Sequence, residues 1–197
     1  MSDQLTQFLN RYLLSPPLED SPEIKPHSAA VLVPIIRHPH APTLLLTQRS
    51  DQLRQHPGQV AFPGGKRDIT DQTLYDTALR ETYEEVGITA ASIQLLGELP
   101  TVHSRTGHSV KPFLALVQPT FTLTPNPDEV AQVFEIPLRF LINTQHYAQL
   151  KVGDPRNPKT VHFLHHTPQL VWGMTATILY GLAQQISNNV RGSIRDI

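Results

Sequence analysis

The sequence predicts an α/β domain in which helices pack against a largely antiparallel or mixed sheet. Three observations carry this reading. Amphipathic stripes at helical spacing open the chain, recur in its middle and return near its end, and strand-like apolar runs fill the intervals. The 197 residues are 39% hydrophobic and 17% charged, which is the composition of one globular domain. Finally, 18 prolines against 10 glycines set many rigid turns between the segments.

The elements follow in order. Leu5, Phe8, Leu9, Tyr12 and Leu13 fall at i, i+3, i+4, i+7 and i+8, one apolar stripe of a helix. Pro16, Pro17, Pro22 and Pro26 then make a stiff connector, so residues 1–27 are expected to form an N-terminal helix and linker. Runs 29–36 and 43–47, separated by His38-Pro39-His40-Ala41-Pro42, read as a hairpin. Residues 73–86 read as a helix, with Asp71 or Thr73 available as N-cap and Gly87 as the stop. Runs 93–99 and 113–117 are further strands, Pro119, Pro125 and Pro127 mark a loop, and a weaker helical pattern covers 129–134. Trp172, Ala176, Leu179, Ala183 and Ile186 recur at i, i+4, i+7, i+11 and i+14 and predict a C-terminal helix, with 191–197 as a tail.

Composition also excludes functions. The 16 basic and 17 acidic residues nearly cancel and no Lys/Arg-rich run exists, so a nucleic-acid partner is not expected. With no cysteine, disulfides, thiolate metal sites and cysteine nucleophiles are all ruled out. The opening MSDQLTQFLNRYLL has neither a basic n-region nor a continuous apolar run, and no membrane span is expected, so the expected location is the cytoplasm.

The stretch 64–88 carries the chemistry. On a helix, Glu81, Glu84 and Glu85 stand at i, i+3 and i+4 and project from one side, while Tyr75, Leu79, Thr82 and Val86 form a packing stripe beside them. Two carboxylates about 6 Å apart repel by roughly 3 kcal/mol at an effective dielectric of about 20. Such a cluster is either a solvated acidic face or a cation site. Arg80, four residues before Glu84, can steer a carboxylate, and the Pro63-Gly64-Gly65 turn that feeds the helix can offer carbonyl oxygens. Carboxylates with a carbonyl are the hard oxygen ligands that Mg²⁺ or Mn²⁺ prefers.

These residues resemble a known family. Arg80-Glu81-Thr82-Tyr83-Glu84-Glu85-Val86-Gly87-Ile88, preceded by Gly65, is similar to the Nudix box, with Thr82 where the pattern prefers an apolar residue. Counting back from Arg80 puts Gln72 at the position of the box's first acid, and Asp71 lies one residue earlier. Either the turn carries one extra residue or that outer acid is displaced. Upstream, LLLTQRSDQLRQHPGQVAFPGG resembles the signature of Nudix hydrolases that cleave coenzyme A, through Thr47, Arg49, Ser50, Leu53, Arg54, His56, Gly58, Gln59, Phe62, Pro63 and Gly64. Further similarity lies at 128–134 and 171–176.

The resemblance implies an α/β/α sandwich with a mixed central sheet and a loop-helix-loop metal site, spanning residues 28–190 with the box at about 65–88. It implies metal-dependent hydrolysis of a nucleoside-diphosphate-linked small molecule, with coenzyme A the expected substrate and another nucleotide or a non-catalytic sensor the alternatives. Glu81, Glu84, Glu85 and Gly65 are then the expected ligands of Mg²⁺ or Mn²⁺, and Glu84, Glu85 and Glu129 the expected catalytic acids. Glu129 is equally explained as a solvated helix start. Arg49, Arg54, His56, Gln59 and Lys66 are the expected substrate contacts, although Arg49 and Arg54 can equally brace the hairpin and the box helix, and the residue reading of His56 favours a structural histidine bonded to the turn backbone. His103, Arg105 and His108, around Gly107, are candidates to line the cleft. The HFLHH run at 162–166 is not expected to bind metal, because His162 and His165 fall on opposite faces of a strand. A homodimer is left open.

Overall fold

The computed structural model describes residues 3–15, 28–103, 108–156 and 158–192. The proline connector, Arg105, Gly107 and the end of the chain from 193 lie outside the described residues. Helix α1 (Asp3–Leu14) leads to β1 (Ser28–Ile36), β2 (Thr43–Arg49), β3 (Val60–Ala61) and β4 (Gly64–Lys66). Helix α2 (Leu74–Val86) is followed by β5 (Ile93–Glu98), β6 (Val102–His103), β7 (Ser109–Val117) and β8 (Val130–Pro137). A short α3 (Leu138–Leu141) precedes β9 (Tyr147–Val152), β10 (Lys159–Leu164), β11 (Val171–Trp172) and α4 (Gly173–Gly192).

The central sheet runs β3-β2-β1-β7-β5, with β4 also on β1, β6 on β7 and β8 on β2. It is mixed because β1 and β7 pair in parallel over nine residues, whereas β1 meets β2 as an antiparallel hairpin. Period-2 alternation splits its core between two faces. Ala30, Leu32, Phe113 and Ala115 pack with Ala78 of α2, and Ile36, Leu45 and Val117 pack with Val86. Val33, Ile35, Leu44, Leu46, Leu114 and Leu116 face the other way, against Leu5 and Phe8 of α1 and Leu179, Leu182 and Ile186 of α4. The result is the expected α/β/α sandwich. A smaller sheet, β11-β10-β9, packs against α4.

Two expectations are corrected. Residues 129–134 are not helical: β8 pairs along β2 from Thr43↔Pro137 to Arg49↔Val130. That ladder satisfies the free edge of β2 along its length, and Val130, Val133 and Ile136 are β-branched residues suited to it. Trp172 does not belong to the C-terminal stripe. It sits in β11 opposite Phe163, 40% exposed, and the buried face of α4 begins at Thr175 and Ala176. Among the described residues, no helix is long and apolar enough to cross a membrane.

Candidate metal and substrate site

The site is built on α2, and local chemistry fixes both ends of that helix. Thr73 caps the start: its Oγ1 accepts from the Asp76 N–H (3.1 Å) and the Asp76 carboxylate accepts from the Thr73 N–H (2.8 Å), a capping box. Gly87 ends the helix at φ 77°, and a side chain there would run into Thr124. Thr82 is fully buried where an apolar residue fits the pattern, and its hydroxyl is satisfied by the Ala78 carbonyl one turn back (2.6 Å).

Asp71 is the outer acid of the box. Its buried carboxylate accepts from Arg80 Nε (3.0 Å) and Nη2 (2.9 Å), from Thr77 Oγ1 (2.9 Å) and from the Asp68 N–H (2.8 Å). The bidentate Arg80 guanidinium holds it well below the ordinary carboxylate range, against the opposing effect of burial, and Asp71 in return raises Arg80. Five residues separate Gly65 from Asp71 and eight, not seven, separate Asp71 from Arg80, yet the two side chains meet. The same guanidinium donates through Nη1 to Glu81 and Glu84, each at 2.9 Å, and through Nη2 to the Lys66 carbonyl (3.1 Å).

Glu81 and Glu85, one turn apart, are joined by Glu129, so that one carboxylate oxygen of each lies within 4.8 Å of the others. Backbone hydrogen bonds bring Glu129 there. The N–H groups of Thr124 and Asn126 donate to the Val86 and Glu85 carbonyls at the end of α2, and the Ser50 N–H donates to the Glu129 carbonyl (2.8 Å). Glu129 is half-buried at the entry to β8. Glu84 stands apart from the three: its side chain is 49% exposed and paired with Arg80.

Electrostatically the cluster is under tension. Burial, with Glu81 and Glu129 adding repulsion, pushes Glu85 up to about 8 despite the opposing Arg49 charge and the Gly64 N–H. Burial also raises Glu81, against the hydrogen bond from Arg80. Glu85 Oε2 is buried with no hydrogen-bond partner. Gly65 lies against Glu81 so closely that a Cβ would sit 2.5 Å from both carboxylate oxygens. A buried acceptor without a donor, three converging acids and a neighbouring backbone stripped of its side chain together fit a hard divalent cation.

The remaining expected residues divide. Arg49 is anchored by its backbone, N–H to the Gln59 carbonyl (2.9 Å) and carbonyl to the Gly58 N–H (3.2 Å), and its Nε is buried and unpaired. Gln59 is half-buried, whereas Arg54, His56 and Lys66 are exposed. His56 adopts φ 57°, and its carbonyl accepts from the Gln59 N–H, so its backbone shapes the turn. His103 Nδ1 lies 3.1 Å from Ser109 Oγ in β6–β7 pairing. In the HFLHH run, His162 stacks on Tyr180 with Nδ1 3.0 Å from Thr177 Oγ1, and the run contributes no candidate metal cluster among the described residues. Sequence reasoning missed the anchoring roles of Thr77, Ser50 and Asn126, since two of them act through backbone N–H groups that any residue but proline supplies.

A family model for the NUDIX domain matches residues 26–159. The chain belongs to the Nudix family. It is a pyrophosphohydrolase acting on a nucleoside-diphosphate-linked substrate, and Nudix hydrolases generally use divalent metal ions. A protein of Yersinia enterocolitica named uncharacterized Nudix hydrolase NudL is 43% identical over 195 residues, covering 95% of this chain and 100% of its own. A protein of the same name from Pectobacterium atrosepticum is 45% identical over 184 residues, covering 93% and 95%. Among solved structures, a MutT/nudix family protein from Enterococcus faecalis superposes with a TM-score of 0.56 at 20% identity, covering 95% of this chain and 70% of its own. A C. elegans Ap4A hydrolase superposes with a TM-score of 0.54 at 20% identity, covering 83% and 98%. These two likenesses establish the Nudix fold.

Proposed function

We propose that this Nudix hydrolase cleaves the pyrophosphate bond of coenzyme A or a derivative, giving 3′,5′-ADP and 4′-phosphopantetheine. The observation that carries the reading is the tie between the signature segment and the acid cluster: Ser50, within that segment, donates its N–H to the Glu129 carbonyl at 2.8 Å. A loop that reads the substrate is thus hydrogen-bonded to the residue that completes the cluster.

In this reading Glu81, Glu85 and Glu129 hold Mg²⁺ or Mn²⁺, with Glu84 assisting through solvent and Gly65 offering its carbonyl. When bound, such an ion neutralises phosphoryl charge and lowers the pKa of a water molecule. Arg80 fixes the rotamer of Glu81 through the bond at 2.9 Å, so the acid meets the substrate already oriented. The general base is drawn from Glu84, Glu85 and Glu129. Arg49, Arg54 and Lys66 answer the phosphates of the substrate, with His56 and Gln59 along the same segment.

A substrate panel with chromatographic product identification, run with Mg²⁺, with Mn²⁺ and with chelator, tests this. Cation-dependent release of 3′,5′-ADP from coenzyme A is expected. Turnover of ADP-ribose or a dinucleotide with coenzyme A left intact overturns the substrate assignment.

A further inference from the structure

Two buried side-chain atoms without a hydrogen-bond partner are found among the described residues, Arg49 Nε and Glu85 Oε2, and they belong to residues that interact electrostatically. Their elements explain the pairing. Arg49 ends β2 on the same face as Leu45, the face that packs on α2, and its Cα partner across the sheet is Val130, the neighbour of Glu129. The guanidinium therefore faces the three-acid cluster, yet no ion pair within 4.0 Å involving Arg49 is found among the described residues. Backbone bonds to Gln59 and Gly58 pin the residue from both sides.

A cation that compensates a carboxylate without bonding to it is displaceable. We infer that Arg49 is a metal-gated binding arm: it serves as counter-charge to the acid cluster in the metal-free protein and becomes the anchor for the substrate diphosphate once a divalent cation occupies that cluster. The inference rests on Glu81, Glu85 and Glu129 being the metal ligands. A dication in the cluster removes the need for the guanidinium and repels it, while its buried, unpaired Nε–H demands an acceptor. A diphosphate bridging cation and arginine supplies that acceptor, so metal and substrate bind with positive coupling carried by one side chain.

The test measures binding, with no turnover. Mn²⁺ is titrated into metal-free wild-type, Arg49→Met and Arg49→Lys protein, with free Mn²⁺ read by electron paramagnetic resonance. The affinity for α,β-methylene-ADP, a diphosphate that resists cleavage, is then measured by calorimetry in saturating Mn²⁺. Arg49→Met is expected to bind Mn²⁺ about three- to thirtyfold more tightly than wild type and the diphosphate at least about tenfold more weakly. Arg49→Lys, which keeps the charge, is expected to match wild type for Mn²⁺ within about twofold and to bind the diphosphate more weakly, for want of the planar fork. A merely structural arginine would weaken both ligands together when replaced by Met, and that result overturns the inference. Unchanged Mn²⁺ affinity or unchanged diphosphate affinity in Arg49→Met overturns it as well. Failure of the wild type to bind Mn²⁺ at all removes the metal reading itself and the inference with it, and so is distinct from either.

Discussion

Asp71 grips Arg80 through two parallel hydrogen bonds, to Nε at 3.0 Å and Nη2 at 2.9 Å, and thereby sets the angle at which the same guanidinium reaches Glu81 and Glu84. The pair joins the loop before α2 to the acidic face of the helix.

Breaking that grip is expected to cost stability first. Asp71→Asn leaves Arg80 without its buried partner, and a loss of about 2–4 kcal/mol in urea unfolding at neutral pH is expected. The sign with pH follows from the lowered value of Asp71: its contribution is full above the ordinary value of 3.8 and is lost as pH falls through the lower folded value. Wild type and variant should therefore converge in strong acid. Parallel curves down to pH 2 would exclude this role.

Glu85 behaves in the opposite sense. Its folded value is raised from 4.5 to about 8, so its contribution is fully present below 4.5 and is lost as pH rises through about 8. Metal-free protein is expected to melt several degrees higher at pH 5.5 than at pH 9, and saturating Mg²⁺ should shrink the difference. Thermal scans at both pH values check it, with Glu85→Gln as the flat control.

The same Glu85→Gln variant separates stability from catalysis. Above about pH 8, where Glu85 carries its charge, removing it from three crowded acids should hold or raise metal-free stability, by tenths to about 1 kcal/mol. Turnover should fall at least about a hundredfold. Asp76→Asn is a useful contrast, because Asp76 closes the helix cap. It should cost about 0.5–1 kcal/mol of stability and little kcat. Equal, small losses of activity in both variants would favour a solvated acidic face.

Gly65→Ala places a methyl group against the Glu81 carboxylate. Mn²⁺ affinity is expected to fall about tenfold or more, with the unfolding midpoint changed little, since Glu81 can swing outward toward solvent. Titration of free Mn²⁺ in the variant, beside its urea curve, distinguishes a lost ligand from a lost fold.

Much of this was legible because it is local. The stripe at Glu81, Glu84 and Glu85, the Thr73 cap, the Gly87 stop and the β1–β2 hairpin each depend on residues within one or two turns of one another. What escaped depends on partners distant in the chain. Residues 129–134 carry a pattern compatible with helix, and only the waiting edge of β2 makes them strand. Glu129 is among the acids the sequence offers, but its meeting with Glu81 and Glu85, the latter 44 residues earlier, while Glu84 lies half-exposed against Arg80, is set by the fold. Trp172 fits the terminal stripe by spacing, but Gly173, at φ 66°, turns the chain from strand into helix directly after it.

The backbone bonds from Thr124 and Asn126 to the end of α2 have a consequence for timing. They join two acid-bearing stretches, far apart in sequence, into one unit without any ion. The entropy of assembling the three acids is then settled during folding, and capture of the ion is left to diffusion and water exchange. Hydrogen exchange of the Thr124 and Asn126 amides should accordingly be slow without metal and scarcely slower with it, as for a trap that is built already sprung.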